Sequence, residues 1–105
     1  MFGNIMDMMG KLQTVQKDFE ELKHRLDGET FTETSADGTV SITLTKLATL
    51  QDIQITDGLL ANKEELEDTL VVTLNKALDE VKRNAIEEAK KTAKGSLPNI
   101  PGLPL

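Results

Sequence analysis

Between residues 39 and 45 apolar and hydroxyl side chains alternate. Val40, Ile42 and Leu44 are separated by Ser41 and Thr43, with Thr39 and Thr45 at the two ends. A period of two, β-branched at most positions, predicts a strand buried on one face only. The chain before it follows another rule. Ile5, Met8, Leu12, Val15, Phe19, Leu22 and Leu26 recur at spacings of three and four, a narrow heptad seam rather than a broad amphipathic face. The seam predicts a long helix that packs on its own sheet, meets a partner helix, or does both. Lys11, Asp18 and Arg25 fall on one flank of it and Lys23 on the other, an arrangement suited to an exposed helix–helix contact. After the strands comes a second helical face: Leu66, Leu70, Leu74, Ala77, Leu78, Val81 and Ala85, with Val71 and Ile86 beside it. Beyond Val81 this face thins to Ala85, Ala89 and Ala93. The end of the second helix is therefore expected to project past the sheet.

Short-range signals divide these patterns. Asp27-Gly28 predicts the end of the first helix, with glycine taking a left-handed cap. Residues 29–34 are rich in Thr and contain Phe31, which reads as a polar edge strand. Asp37-Gly38 marks a hairpin and supplies its positive-φ positions. Residues 46–49 form a turn without glycine. Residues 50–56 read as a third strand, with Ile53 and Ile55 on one face and Asp52 and Gln54 on the other. Three strands with short connections make an antiparallel meander, which can leave one face wet. Asp57-Gly58 breaks the third strand, and Leu59 and Leu60 are expected to pack under the start of the second helix. Asn62 is the predicted cap, and Glu64, Glu65, Glu67 and Asp68 complement the helix dipole in the first turns. The expected class is α+β, in the order α-β-β-β-α. Residues 1–94 read as one domain and residues 95–105, which carry no charge and hold all three prolines, as a flexible tail, mobile or pinned loosely by Leu97, Ile100, Leu103 and Leu105.

Composition adds self-association. Only 38% of the 105 residues are hydrophobic and 3% aromatic. A small domain with so thin a core is favoured by a second copy that buries what one copy leaves exposed. Cysteine is absent, so there is no disulfide framework, Cys-based zinc site or thiol nucleophile, which fits a reducing cytoplasm. The apolar residues 1–10 lack a basic start and contain Asp7, unlike a signal peptide. No apolar run approaches a membrane span. A soluble cytoplasmic protein is expected, with no membrane partner.

The net charge of −6 argues against indiscriminate polyanion binding, but its distribution matters more. Residues 2–26 are neutral, residues 27–61 carry −5, and residues 62–94 carry −1. Within the last stretch, residues 81–94 hold a local +3 from Lys82, Arg83, Lys90, Lys91 and Lys94 against Glu87 and Glu88. Acid thus lies in the middle of the chain and base along the two helices. These basic residues could contact phosphates. They could equally be solvated surface held by pairs such as Glu87–Lys91. No chemistry of another kind stands out. His24, the one histidine, falls on the outer side of the first helix without a triad pattern. The carboxylate pairs Glu20–Glu21, Glu64–Glu65 and Glu87–Glu88 are helix neighbours whose side chains diverge by about 100°. Neither a phosphate-binding loop, a dinucleotide fingerprint nor metal-ligand spacing is present. The reading is of a non-enzyme without cofactor, metal or small-molecule substrate.

Several ordered stretches resemble the YbaB/EbfC family of bacterial nucleoid-associated proteins. They are Met1-Phe2-Gly3-Asn4 with the Met-, Gln- and Lys-bearing helix after it, Gly38-x-Val40-x-Ile42-Thr43-Leu44, and Ile53-Gln54-Ile55 followed by Leu59-Leu60. Glu65-Leu66-Glu67-Asp68 with Leu70-Val71 and Asn75-Lys76-Ala77 continues the series, and Leu97-Pro98 with Pro101-Gly102-Leu103-Pro104 closes it. Each motif is weak alone; the ordered set is more specific. Departures from the family pattern are Lys46, where Gly is frequent; Gln51-Asp52, where basic residues are frequent; and Thr56-Asp57 in place of Asp-Pro. The loop over residues 61–63 also looks about one residue short. The resemblance implies a homodimer with helices projecting from a shared sheet body, and a role in binding double-stranded DNA in the nucleoid. On charge alone, the expected contacts are Lys11, Lys17, Lys23 and Arg25 on the first helix and Lys82, Arg83, Lys90, Lys91 and Lys94 on the last. They would be phosphate contacts of low sequence specificity. The alternative is a protein-interaction or scaffolding dimer with little DNA affinity, which the acidic middle favours.

Overall fold

The computed structural model describes residues 2–96, with side chains described from Asn4 onward. The predicted tail lies outside the described residues, except that Gly95 and Ser96 belong to the last helix. Helix α1 spans Phe2–Gly28; strands β1, β2 and β3 span Thr30–Thr34, Val40–Thr45 and Leu50–Ile55; a short 3-10 turn covers Asp57–Ala61; helix α2 spans Lys63–Ser96. The expected order α-β-β-β-α is present, and the sheet is an antiparallel meander with β2 in the middle and β1 at an edge.

The alternation in β2 does what its pattern predicts. Val40, Ile42 and Leu44 are buried on the inner face, where α2 covers them with Leu59, Ala77 and Val81. Phe31, Ile55, Leu66, Leu70, Leu74 and Leu78 pack around this cluster. On the outer face hydroxyls pair across strands. The Oγ atoms of Thr32 and Thr43 are 2.8 Å apart, and those of Thr34 and Ser41 3.0 Å. Cross-strand hydroxyl pairs satisfy one another without a covering layer, so this face needs none.

The turns differ in detail from expectation. Thr39 belongs to the first hairpin loop rather than to β2, and only Gly38 has positive φ there, at 76°. Asp37 stays at negative φ because its carboxylate, not its backbone, organises the loop. Its Oδ1 accepts from the Thr39 hydroxyl at 2.6 Å, the Ser35 hydroxyl at 2.7 Å and the Thr39 amide at 3.1 Å. These bonds, the Thr39 hydroxyl foremost, lower the Asp37 carboxyl to about 2. Gly28 does not take the left-handed cap; α1 ends instead with the Glu29 amide donating back to the Leu26 carbonyl at 3.3 Å. The left-handed residue appears where no glycine stands. Ala48 stands in the four-residue loop, residues 46–49, between β2 and β3 at φ 66°. The Thr45 hydroxyl oxygen holds that loop by accepting from the amides of Leu47 and Thr49.

A bulge sits opposite Thr43 and Leu44: Thr43 pairs with Asp52, and Leu44 with Leu50. The extra residue, Gln51, moves Leu50 onto the inner face beside Ile53 and Ile55, which simple alternation does not predict. Strand β3 ends at Ile55 rather than Thr56. Leu59 is buried as expected, but Leu60 is exposed because the 3-10 turn points it away. Asn62 caps α2: its Oδ1 accepts from the Glu65 amide at 3.1 Å, and its Nδ2 donates to the Glu65 carboxylate at 3.2 Å. Val71 and Ile86 are exposed, at the margin of the α2 face rather than within it.

The molecule is long. Its extents are 72 × 25 × 15 Å and its radius of gyration is 20.1 Å, against about 13 Å for a compact domain of this length. The elongation comes from the helices. Past Val81, α2 leaves the sheet and runs antiparallel to α1, forming a two-helix arm.

Candidate nucleic-acid interface

The arm is built from the C-terminal half of the heptad seam. Leu22 and Leu26 are buried, Val15 and Phe19 half-buried, and Ile5, Met8 and Leu12 exposed. The partner helix that the seam predicts is therefore α2 of the same chain, and it covers only part of the seam. The flanking charges take part in this contact. The Arg25 guanidinium donates to the Glu88 carboxylate at 2.7 Å and lies 3.5 Å from Glu29, which also takes Lys46 at 3.1 Å. The Glu88 carboxyl is lowered chiefly by the Arg25 hydrogen bond, and the same bond raises Arg25. Farther along, the Ser96 hydroxyl donates to Asp18. Between these two contacts lies an open groove of about 450 Å³, lined by Asp18, Glu21 and Arg25 from α1 and Thr92 and Ser96 from α2. It is a shallow interhelical furrow with mixed charge.

The nine basic residues expected at the site divide into two groups. Lys17 lies 4.0 Å from Glu21, Arg25 pairs with Glu88 and Glu29, Arg83 pairs with Glu80, and Lys91 lies 3.8 Å from Glu88. The expected Glu87–Lys91 pair is replaced by Glu88–Lys91, because Glu88 faces the arm interior with Arg25. By contrast Lys11, Lys23, Lys82, Lys90 and Lys94 are exposed and have no carboxylate within 4 Å among the described residues. Lys11 stands near the tip of α1, and Lys23 lines a groove with His24 and Leu47 at the base of the arm.

One residue absent from the charge-based set belongs with it. Lys76, Arg83 and Lys90 stand seven residues apart, with Lys94 four residues farther on. Seven residues nearly complete two helical turns, so all four share one side of α2 over about 27 Å. All four are exposed. The signal was the spacing, not the local density of charge. Asp79 and Glu87 stand on the same flank, so the stripe is basic without being purely so. Among the described residues no helix is long and apolar enough to cross a membrane.

The comparisons agree with this architecture. A nucleoid-associated protein of Flavobacterium johnsoniae is 43% identical over 100 residues, covering 95% of this chain and 94% of that protein. A nucleoid-associated protein of Helicobacter pylori is 34% identical over 86 residues, covering 79% and 86% respectively. The crystal structure of an uncharacterized Helicobacter pylori protein superposes with a TM-score of 0.76 at 31% identity, covering 80% of this chain and 90% of that one. The profile of the YbaB/EbfC DNA-binding family matches residues 1–96, and the chain belongs to that family.

Proposed function

We propose that this chain is a nucleoid-associated protein that binds double-stranded DNA as a homodimer, without catalysis, through phosphate contacts of low sequence specificity. The observation that carries the reading is the basic stripe of Lys76, Arg83, Lys90 and Lys94 on the exposed side of α2, joined by the unpaired Lys82. Arg83 pairs with Glu80, but the lysines of the stripe have no carboxylate within 4 Å among the described residues. They are free to replace counterions on a phosphate backbone, and neutralising phosphates makes affinity fall steeply with salt. The acid is concentrated elsewhere, in residues 27–61 around the sheet. A negative body therefore holds the arms at a DNA surface without lying on it. Arg25, tied to Glu88 and Glu29, and the paired Lys17, Arg83 and Lys91 contribute less per residue than the unpaired lysines. Self-association is supported by Leu50 and Ile53, exposed on β3, one of the two edge strands, beside unpaired backbone groups. Light scattering should return the mass of two chains. The expected location is the cytoplasmic nucleoid.

A gel-shift titration at two salt concentrations tests the reading. Retardation at micromolar protein in low salt is expected, weakening sharply as salt rises. The double substitution Lys90→Ala, Lys94→Ala removes two cations from each chain of the dimer and should reduce the log–log salt slope by about 4, close to one per phosphate contact. Absence of retardation at low salt would favour the second reading, a protein-interaction or scaffolding dimer. That reading draws on the four ion-paired bases and the net charge of −6.

A further inference from the structure

The sheet has two edges, and the sequence treats them differently. On β1, Glu33 stands on the inner face, opposite Ile42 in the strand register, and is half-buried. A charged side chain turned to the core side guards an edge, because another strand laid alongside would take its carboxylate out of water. The inner face of β3 carries no charge. Its Leu50 and Ile53 are 47% and 42% exposed, because α2 lies over β1 and β2 and scarcely reaches β3. The neighbouring flank of α2 is apolar as well. Thr69, Val72 and Lys76 line a groove against the β1–β2 loop at Ser35 and Asp37. Val71 projects from the opposite side of the helix, toward β3, and is 59% exposed.

The backbone of β3 is also open to pairing. The Thr56 amide donates to the Thr39 carbonyl at 2.9 Å. Antiparallel ladders alternate between bonded and non-bonded pairs. Gln54 and Asp52 therefore turn their amides and carbonyls to β2, and Ile53 and Ile55 turn theirs to the free edge.

Taking the chain as the homodimer proposed above, we infer that the second copy joins along β3, antiparallel about a two-fold at Ile53, so that the two sheets become one. Ile53 then lies opposite Ile53 of the second copy, Asp52 opposite Gln54, and Gln51 opposite Ile55. Other registers are worse. A slip of one residue sets the apolar positions of one copy on the wrong face. A slip of two residues one way puts Asp52 against Asp52 of the second copy, and like charges directly opposite are destabilising. A slip of two the other way leaves only residues 53–55 of β3 in the ladder. In the favoured register Leu50 and Ile53 of both copies leave water, and Val71 borders the contact. Because Glu33 still guards each β1, assembly closes at two copies instead of running on as a filament.

The chain has no cysteine, so one introduced thiol reports the register. Opposed residues of a bonded antiparallel pair have Cα atoms about 5.5 Å apart, within reach of a disulfide. Oxidised Ile53→Cys should run as a covalent dimer on a non-reducing gel, with a yield about tenfold that of Asp52→Cys or more. Equal yields, or a higher one from Asp52→Cys, would overturn the register. Light scattering on the full chain separates the β3 contact from the homodimer on which it rests. A parent of one-chain mass at high concentration would overturn the homodimer itself. A parent of two chains, with Ile53→Lys also at two chains, would overturn only the β3 contact. Ile53→Lys should instead raise the dimer dissociation constant about a hundredfold or more, with an unchanged far-ultraviolet circular dichroism spectrum. Glu33→Val should carry the mass beyond two chains; a mass that stays at two would overturn the guarding role of Glu33.

Discussion

In the sheet, Val40, Ile42 and Leu44 are 0%, 0% and 1% exposed; on the arm, Ile5, Met8 and Leu12 of an equally regular pattern are more than half exposed. The two regions use opposite means of holding shape. The sheet relies on dispersion and hydrophobic burial beneath α2. The arm has Leu22 and Leu26 at its root, and then polar contacts from Arg25 to Glu88 and from Ser96 to Asp18. Periodicity identifies which side of an element is apolar. How much of that side is buried depends on whether another element passes over it, and α2 passes fully over β2 but only partly along α1.

Substitutions sharpen the contrast. Ile42→Ala should cost about 2–5 kcal/mol in urea unfolding, because the cavity it leaves is walled by the sheet and α2. Leu12→Ala should stay within about 0.5 kcal/mol, since the side chain is already in water; a loss as large as that at Ile42 would mean that the arm has a core of its own. Asn62→Ala should remove about 1 kcal/mol by opening the α2 cap. Ala48→Gly works in the other direction. It relieves a left-handed alanine, and after the greater entropy of the unfolded glycine chain the net gain should be about 0.5–1 kcal/mol, read as a raised denaturation midpoint.

The smallest effect depends on pH. Asp37 has its carboxyl lowered from 3.8 to about 2, and Glu88 is lowered from 4.5. For a lowered carboxyl the unfolded chain binds the proton first. The stabilisation is complete above the unfolded value and disappears as pH falls through the folded one. Asp37→Asn should therefore be less stable than the parent above about pH 4 and converge with it toward pH 2. A gap that persists well below pH 2 would assign the loop's stability to groups other than this carboxylate.

Features carried by neighbours in sequence were legible before the structure. The Asn62 cap involves atoms three residues apart, Gly38 a single turn, and the β2 alternation one strand and its covering helix. Features that depend on distant coverage were not. Nothing near Leu60, Val71 or Ile86 in the sequence says that they face solvent. The bulge at Gln51 is a mismatch between two strands and is written in neither alone. The candidate interface was legible as a tendency of base to collect on helices. Its division into paired and unpaired lysines was not, because Arg25 and Glu88 stand 63 residues apart. Lys76 was legible through its heptad spacing with Arg83 and Lys90, but it lies outside the dense basic cluster that draws the eye.

That separation also bears on the order in which the molecule assembles. The meander joins strands that are close in sequence, and such hairpins form within microseconds. Bringing Asp18 to Ser96 closes a loop of 78 residues, whose entropy is offset only when both helices are present. The arm is therefore expected to be the last part of the chain to form and the first to open. During synthesis the sheet can be complete while α1 still waits for its partner. The element that carries the proposed DNA contacts would then exist only on chains that have finished folding.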